Sequence, residues 1–309
     1  MIAYQKQIAL GCMSLTGTWN PADVTPARVK NAIAAFEAAL VSGITLFDHA
    51  DIYGGGSCEE VFKDCLAAFP ESRERIQIWT KGGIGSSFNL SAPYLRACIE
   101  RSLRRMNIEY IDLYQVHRPD PLTHPRETAS ALNEALKSGK IRAVGVSNYF
   151  PEQVRALAKY LDAPIVSNQI QINLLRLDPI YEGWRSPQQD TGPSGQGGRG
   201  DGVLDQCMAE DIVPLAYSPL AKAALSRADS TEPRVRDVQD AIGSLLEKYD
   251  ATRTQIALAW LNTHPSGIIP LVGSANPAHI FEAAQKADLK LEREDWYTLW
   301  QASWGRNKP

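Results

Sequence analysis

The sequence predicts an α/β fold, a closed (β/α)8 TIM barrel of parallel strands with helices outside, on three observations. The chain has 309 residues, 44% of them hydrophobic, which is enough to bury the core of one large barrel. Short runs rich in Val, Ile, Leu and Tyr alternate with longer segments of helical period, as in consecutive βα units. The strand-like runs are continuously apolar, as expected of strands covered on both faces. We therefore expect a single domain over residues 1–309.

Eight strand-like runs follow one another along the chain. Parallel neighbours need a crossover connection, and the helical segment after each run can supply it. Eight such units are enough to close a barrel. The runs begin near Ile8, Ile44, Ile76, Tyr110, Ile141, Ile165, Ile212 and Ile268.

Three of the connecting helices carry clear boundary signals. Residues 25–43 begin with Thr as N-cap and Pro at the first helical position, and they end in Gly. A second helix opens with a Ser-Ala-Pro sequence and covers 91–106. A third covers 125–138 and is followed by Gly. Each of these helices returns the chain for the next parallel strand.

One segment, residues 183–202, departs from the βα pattern. It is too rich in glycine and polar residues to bury a core, so we expect a flexible loop within the barrel domain. The loop contains Gly195-x-Gly197-x-x-Gly200, which matches a dinucleotide-binding fingerprint. No strand-like run precedes this motif and no long helix follows it, so a linker is the better interpretation. Because the loop follows the sixth strand, it could also fold over a bound ligand.

Charge and cysteine content exclude several classes of partner. The chain has 32 Lys and Arg against 35 Asp and Glu, a net charge of −3, without the basic excess that nucleic acid or anionic lipid attracts. No apolar run approaches the length of a membrane span, and the N-terminus does not resemble a signal peptide. The five cysteines have no metal-ligand spacing and are expected to be buried thiols. We expect a cytoplasmic protein without a metal site; its oligomeric state is not encoded.

Four polar side chains stand where strand-like runs end: Asp48, Tyr53, Lys81 and His117. The carboxyl ends of parallel barrel strands meet at one mouth, where such barrels perform their chemistry. We therefore expect a carboxylate, a phenol, an ammonium and an imidazole in one pocket. Taken singly, each could be a helix cap, a rim aromatic, a surface lysine or a turn residue; their joint placement favours an acid/base site.

Six motifs follow one another along nearly the whole chain. They are Phe47-Asp48-His-Ala-Asp-Ile-Tyr53-Gly54, Thr80-Lys81, Leu113-Tyr-Gln-Val-His117, Gly145-Val-Ser-Asn148-Tyr, Asn168-Gln169 and Ala216-Tyr217-Ser-Pro-Leu220. In this order they resemble the aldo-keto reductase superfamily. The resemblance implies a barrel that binds a nicotinamide dinucleotide without a Rossmann domain and reduces aldehydes or ketones to alcohols.

The four side chains fit the chemistry of carbonyl reduction. Hydride transfer leaves an alkoxide that needs a proton, and Tyr53 can supply it as general acid. Because a free phenol titrates near pH 10, we expect the Lys81 ammonium to lower the pKa of Tyr53. Asp48 keeps Lys81 charged, and His117, as a neutral imidazole, orients the carbonyl. The resemblance implies the same four roles.

Two alternatives remain beside the reductase interpretation. The first is a cofactor-binding regulatory subunit of the same fold with slow turnover. The second is a metal-dependent barrel isomerase or lyase, which would need clustered His and carboxylate ligands at several strand ends. The second is the weaker, since only His117 among the five histidines is so placed.

The resemblance also implies which residues hold the nicotinamide half of the cofactor. Ser147, Asn148 and Gln169, at the ends of the fifth and sixth strands, would bind the carboxamide. Tyr217, at the end of the seventh strand, would stack on the nicotinamide ring.

Toward the adenosine end, the resemblance implies backbone contacts to the pyrophosphate and a strand-to-helix turn for the ribose phosphate. Helix N-termini attract phosphate through free N–H groups and the macrodipole. Ser274 would meet the 2′-phosphate and Glu282 the adenine. The seven residues of this half are Ser218, Leu220, Gly273, Ser274, Asn276, His279 and Glu282.

Two positions near the proposed phosphate site bear on the choice between NADP(H) and NAD(H). Many family members have an Arg where this chain has His279, and a Lys is common where Gly273 stands. Arg is always charged and binds phosphate bidentately, whereas His carries only part of a charge near neutral pH. We favour NADP(H), with NAD(H) possible.

The partner we expect is a small-molecule carbonyl or alcohol substrate, whose identity the sequence does not specify. Met13, Trp19, Trp79 and Arg118 lie near the catalytic four and are candidates for the substrate pocket. Trp19 and Trp79 could line the pocket or pack beneath it. The position of Arg118 directly after His117 suggests a bias toward polar or anionic carbonyl compounds.

Overall fold

The computed structural model describes residues 7–181 and 202–305. The statements below concern these residues. The predicted flexible loop, 183–202, lies outside the described residues except for Gly202.

Eight parallel strands form a closed barrel, in which each strand pairs with the next and β8 pairs with β1. This confirms the predicted (β/α)8 fold. Every strand begins within three residues of the position predicted from the sequence. The strands are β1 Ala9–Gly11, β2 Leu46–Asp48, β3 Gln77–Gly82, β4 Leu113–Val116, β5 Val144–Ser147, β6 Ile165–Gln171, β7 Val213–Tyr217 and β8 Ile269–Val272.

Helices surround the barrel, and the three with clear sequence signals form at the predicted places. In α1 the Thr25 hydroxyl accepts a hydrogen bond from the Arg28 backbone N–H, as its N-cap position predicts. The helices are α1 Pro26–Val41, α2 Ser57–Ala68, α3 Ala92–Met106, α4 Pro125–Lys137, α5 Pro151–Ala158, α6 Asp178–Tyr181, α7 Val203–Ala209, α8 Pro233–Gly243, α9 Leu246–Tyr249, α10 Arg253–Thr263, α11 Pro277–Gln285 and α12 Arg293–Trp304.

The core forms three clusters, two between the sheet and the helices and one inside the barrel. Because side chains alternate along a strand, every second strand residue points inward. The inner cluster fills the barrel, so that polar side chains at the strand ends stand on an apolar base. It consists of Ala9, Leu46, Trp79, Leu113, Leu215, Ile269 and Leu271. All five cysteines are buried free thiols, as expected.

Candidate active site

Asp48 and Lys81 form a buried ion pair at the carboxyl end of the barrel. β2 ends at Asp48 and pairs with β3, which carries Lys81. Lys81 Nζ donates to Asp48 Oδ1 at 2.8 Å and Oδ2 at 2.7 Å, and to the backbone carbonyl of His49 at 2.7 Å. Lys81 has no exposed surface, and Asp48 is 2% exposed. The ammonium has lost its water, so its charge depends on this carboxylate.

Tyr53 is brought beside Lys81 by a turn of three glycines, residues 54–56. Their φ angles of 58°, 64° and 101° are left-handed, a conformation that glycine adopts without steric cost. Lys81 Nζ lies 5.1 Å from the Tyr53 ring centroid, so that its charge acts on the Tyr53 phenol. The His117 ring meets the Tyr53 ring edge-on, with centroids 6.1 Å apart. The four predicted side chains therefore meet in one place.

Burial and charge act in opposite directions on the pair of Lys81 and Tyr53. Burial alone lowers the pKa of Lys81, but the neighbouring Asp48 and Tyr53 raise it above its ordinary value. Burial raises the pKa of Tyr53, and the Lys81 ammonium lowers it by less than burial raises it. The expectation of a net fall in the pKa of Tyr53 is therefore wrong for these surroundings. The phenol keeps its proton at neutral pH, which is the form a general acid needs.

His117 is a neutral imidazole. Burial, followed by the positive charges of Lys81 and Arg118, lowers the pKa of His117 to about 3. Its backbone N–H donates to the Gly82 carbonyl at 3.0 Å and ties the end of β4 to β3. A neutral ring in this position can donate one N–H to a carbonyl oxygen without competing for the proton of Tyr53.

His49 is a second neutral imidazole, packed outside the barrel wall against Phe62 of α2, with ring centroids 4.3 Å apart. Neither ring nitrogen has a hydrogen-bond partner among the described residues. Burial, together with the charge of Lys81, lowers the pKa of His49 to about 3. Its ordinary value is near 6.5, so between these two pH values the unfolded chain binds a proton that the folded protein does not.

This gives a pH-dependent prediction for His49→Phe. As pH falls from about 6 to 4, wild-type stability should drop more steeply than that of the variant, by about 1.4 kcal/mol per pH unit. Urea unfolding of both proteins over this pH range measures the difference. Parallel stability curves between pH 4 and 6 would contradict this, because they would mean that His49 binds its proton equally well in the folded and the unfolded protein.

A set of charged side chains behind the pocket holds the segment between Asp48 and Tyr53. Arg105 Nη1 donates to the Asp51 carbonyl at 2.7 Å, and Arg101 Nη2 donates to Asp51 Oδ2 at 2.7 Å. Asp51 is buried, so this side chain supports the loop.

The residues predicted to hold the nicotinamide carboxamide form one hydrogen-bonded group. Ser147 Oγ donates to the Gln169 carbonyl at 2.9 Å and accepts from Asn148 Nδ2 at 2.8 Å. The Tyr217 hydroxyl donates to Asn148 Oδ1 at 3.0 Å, which fixes the ring at the end of β7. Asn148 itself has a φ of 61°, a strained value typical of functional sites.

Beyond Tyr217 the chain makes an unusual left-handed turn. Ser218 has a φ of 51°, and residues 221–223 have φ values of 48°, 55° and 69° without a glycine among them. The Ser218 carbonyl accepts from Asn173 Nδ2 at 2.8 Å, which ties the turn to the loop after β6. Leu220 is half-buried and packs against both of the core clusters that lie between the sheet and the helices. Backbone held in such conformations concentrates at ligand-binding sites.

At the end of β8, three predicted residues cluster around the N-terminus of α11. Asn276 caps the helix by accepting from the Ala278 N–H at 3.0 Å. Ser274 Oγ lies 3.4 Å from His279 Nδ1, and Asn276 Nδ2 lies 3.5 Å from His279 Nε2. Gly273 is exposed in the same turn and Glu282 is half-buried in α11. These groups form a polar, exposed surface at a helix N-terminus, which suits a phosphate.

Residues 7–303 match the family model described as "Aldo/keto reductase family". The chain belongs to this family. A 6-dehydroglucose reductase from Novosphingobium aromaticivorans is 37% identical over 303 residues, covering 95% of this chain and 92% of that protein. As an aldo-keto reductase, the chain is an oxidoreductase that uses a nicotinamide cofactor.

Two solved structures share the fold of this aldo-keto reductase. The glycerol dehydrogenase of Gluconobacter oxydans is 25% identical, with a TM-score of 0.81, covering 100% of this chain and 97% of that one. An aldo/keto reductase from Klebsiella pneumoniae, solved with NADP and acetate, is 24% identical, with a TM-score of 0.76, covering 98% of this chain and 93% of that one.

The structure separates the predicted substrate-pocket residues of this reductase. Of the two alternatives for Trp79, lining or packing, its burial in the inner cluster of the barrel favours packing. Trp79 and Lys81 share the inner face of β3, and Trp79 lies one layer deeper. Met13 and Trp19, in the loop after β1, are 48% and 61% exposed, and Arg118 is half-buried beside His117. These three remain candidates.

Sequence reasoning missed Gln115, which points into the barrel from β4 directly opposite Lys81 on β3. Its Nε2 donates to Asp48 Oδ1 at 3.2 Å, and Gln169 Nε2 donates to the same oxygen at 2.9 Å. The signal was available, because Gln115 lies two residues before His117 and thus on the same strand face. Gln169 therefore contacts the catalytic carboxylate in addition to the cofactor role predicted for it.

A cavity of about 460 Å³ lies elsewhere in the reductase, near the ends of α7 and α10 that precede β7 and β8. It includes Leu204, His264 and Trp296 in its lining and none of the predicted site residues. Within the described part of the chain, no group of three or more His, Cys, Asp and Glu side chains could hold a metal ion. No described helix has the length and apolar character needed to cross a membrane.

Proposed function

We propose that the protein reduces the aldehyde group of a small, polar carbonyl compound with NADPH, and that Tyr53 donates the proton. The observation that carries this proposal is the position of the Lys81 ammonium, which is held by the Asp48 carboxylate and lies 5.1 Å from the centroid of the Tyr53 ring. The neutral ring of His117 stands across from the phenol. Carbonyl reduction requires these groups in this order, an acid with a cation behind it and a neutral donor beside it.

The residues present fit a nicotinamide cofactor. The half-buried Tyr217 ring is held in place by Asn148 and offers an aromatic face. Gln169 uses its Nε2 on Asp48, so its Oε1 is the end that can accept from a carboxamide N–H. When bound, the cofactor supplies the hydride.

The protein's own residues then manage the proton. His117 donates its N–H to the carbonyl oxygen and orients it, and the Tyr53 hydroxyl donates to the same oxygen. As negative charge develops on that oxygen, the proton passes from Tyr53 to it. Lys81 stabilises the phenolate that remains, and Asp48 holds Lys81 without moving. Hydrogen-bond donors that are already oriented before the reaction do not have to reorient during it. Each such donor typically lowers the activation free energy by about 3 kcal/mol.

For the substrate we propose a sugar aldehyde of the kind named for the Novosphingobium relative, 6-dehydroglucose. The half-buried Arg118 beside His117 supports a polar substrate, since a guanidinium has five N–H donors that can bind hydroxyl oxygens. Trp19 and Met13 offer apolar surface at the same rim, which suits the less polar face of a sugar ring.

A carbonyl panel tests the proposal. Wild-type protein with NADPH or NADH is mixed with 6-dehydroglucose, 4-nitrobenzaldehyde or 4-carboxybenzaldehyde, and oxidation of the cofactor is followed by absorbance. We expect turnover with NADPH and the highest kcat/KM for the sugar aldehyde. A higher kcat/KM for 4-nitrobenzaldehyde would contradict the polar pocket. Binding of NADPH without turnover of any carbonyl would favour the regulatory-subunit alternative.

The His279→Arg variant tests the proposed binding of the 2′-phosphate. An arginine beside Ser274 and Asn276 adds a permanent charge and a bidentate donor, so kcat/KM with NADPH should rise relative to NADH by about tenfold. Steady-state kinetics with both cofactors and one aldehyde measure this ratio, and His124→Arg, at the N-cap of α4, is the control. An unchanged ratio would place the phosphate elsewhere.

A further inference from the structure

We propose that Gln115 is a positioning residue for proton transfer: its amide shares the Asp48 carboxylate with Lys81 and thereby fixes where the ammonium lies between Asp48 and Tyr53. This inference rests on the proposed function. Gln115 would contact neither substrate nor cofactor; it would act through Asp48.

The first argument is the crowding of donors on one carboxylate oxygen. Asp48 Oδ1 accepts from Lys81 Nζ at 2.8 Å, from Gln169 Nε2 at 2.9 Å and from Gln115 Nε2 at 3.2 Å, whereas Oδ2 accepts from Lys81 Nζ alone among the described residues. Two neutral amides therefore stabilise the charged carboxylate without adding charge of their own. Each amide hydrogen bond lowers the negative charge density on Asp48 Oδ1 and so weakens the attraction between Asp48 and Lys81.

The second argument is the cost of keeping Gln115 in this position. Gln115 has no exposed surface, and its Oε1 has no hydrogen-bond partner within residues 7–181 and 202–305. An unpaired buried carbonyl costs folding free energy, and an apolar side chain at this inner position would avoid that cost. A methionine would fill the same space above Leu113 without it. The amide is thus explained by its contact with Asp48 and not by packing.

The contact sets the strength of the general acid. Without the Gln115 amide, Asp48 attracts Lys81 more strongly and draws the ammonium away from the Tyr53 hydroxyl. The Tyr53 phenolate then loses stabilisation, so the pH at which Tyr53 gives up its proton rises. Removing Gln115 should therefore slow reduction and shift the alcohol oxidation profile, which needs the phenolate, to higher pH. The described titratable groups that bear on this set are Cys12, Asp48, His49, Tyr53, Lys81, His117 and Arg118.

The test uses two variants. Gln115→Met removes the N–H group that donates to Asp48, whereas Gln115→Glu can donate an O–H to Asp48 as long as its own carboxyl group is protonated. Burial beside Asp48 favours the protonated form. The matched control is Ser167→Ala, which removes a different buried polar group of the barrel interior, a hydroxyl. The Ser167 hydroxyl has no hydrogen-bond partner among the described residues, so it does not act on Asp48. Thermal unfolding shows which variants fold. Reduction of 4-nitrobenzaldehyde with NADPH and oxidation of 4-nitrobenzyl alcohol with NADP⁺ are measured from pH 6 to 10.

We expect Q115M to lower kcat for reduction about tenfold and to raise the midpoint of the oxidation profile by about one pH unit, with KM for NADPH nearly unchanged. Ser167→Ala should keep the wild-type midpoint. Q115E should resemble wild type near pH 6 and lose activity relative to it as pH rises. The inference is overturned if Q115M keeps the wild-type midpoint, or if Q115E loses nothing relative to wild type as pH rises. The second result decides the question even if Q115M does not fold. A wild-type protein inactive on every carbonyl would instead overturn the proposed function.

Discussion

Replacing Tyr53 with Phe is expected to lower kcat for carbonyl reduction by about 10²- to 10⁴-fold, the range typical of losing a general acid. In the proposed mechanism the phenol donates the proton and residues from β5 to the start of α11 hold the cofactor, so the Kd for NADPH should stay within about twofold of wild type. Single-turnover oxidation of NADPH measures the chemical step, and quenching of protein fluorescence measures cofactor binding.

The control for this prediction is Tyr94→Phe. The Tyr94 hydroxyl donates to the Ile84 carbonyl in the loop after β3 at 3.2 Å, and it has no role in the proposed chemistry. This variant should keep nearly wild-type kcat. If Tyr53→Phe retained more than about a tenth of wild-type kcat, another group would have to be the proton donor.

Replacing Lys81 with Met should remove activity and destabilise the fold together. Asp48 would remain as a charge inside the barrel, and removing one partner of a buried ion pair typically costs about 3–5 kcal/mol. Gln115 and Gln169 still donate to the carboxylate, but neutral amides cannot replace the positive charge. Urea unfolding at pH 7 gives the free energy of unfolding, and the reductase assay gives kcat.

The double variant Asp48→Asn with Lys81→Met separates the two effects. Since it removes both charges, it should recover most of the lost stability while staying inactive, because Tyr53 still lacks its ammonium. Equal stability of the single and double variants would mean that Asp48 is solvated or protonated when Lys81 is absent. Recovery of activity in the double variant would contradict the role assigned to Lys81.

The position of the catalytic four could be predicted because parallel strands place their carboxyl ends together whatever the details of packing. Asp48, Lys81 and His117 each end an apolar run, and this local signal was enough. Helix boundaries were predictable for the same reason, since caps such as Thr25 act locally. These features depend on chemistry that is visible over a few residues.

Depth inside the barrel could not be predicted from the sequence, because it depends on several strands at once. Trp79 lies on the same strand face as Lys81 but one layer below, and a linear sequence does not give the height of the mouth. The direction of the pKa shift of Tyr53 depends on burial outweighing a nearby charge, a balance that requires coordinates. Gln115 was overlooked because a neutral amide in an apolar run looks like an ordinary strand residue.

A crystal structure of the protein with NADP⁺ and an aldehyde analogue tests the central claim most directly. We predict the nicotinamide ring on Tyr217, and the carbonyl oxygen within hydrogen-bond distance, about 2.6–3.2 Å, of both the Tyr53 hydroxyl and the His117 ring. The Lys81 ammonium should remain on Asp48 and Tyr53. A carbonyl oxygen bound away from Tyr53, or a Tyr53 hydroxyl turned away from Lys81, would contradict the mechanism.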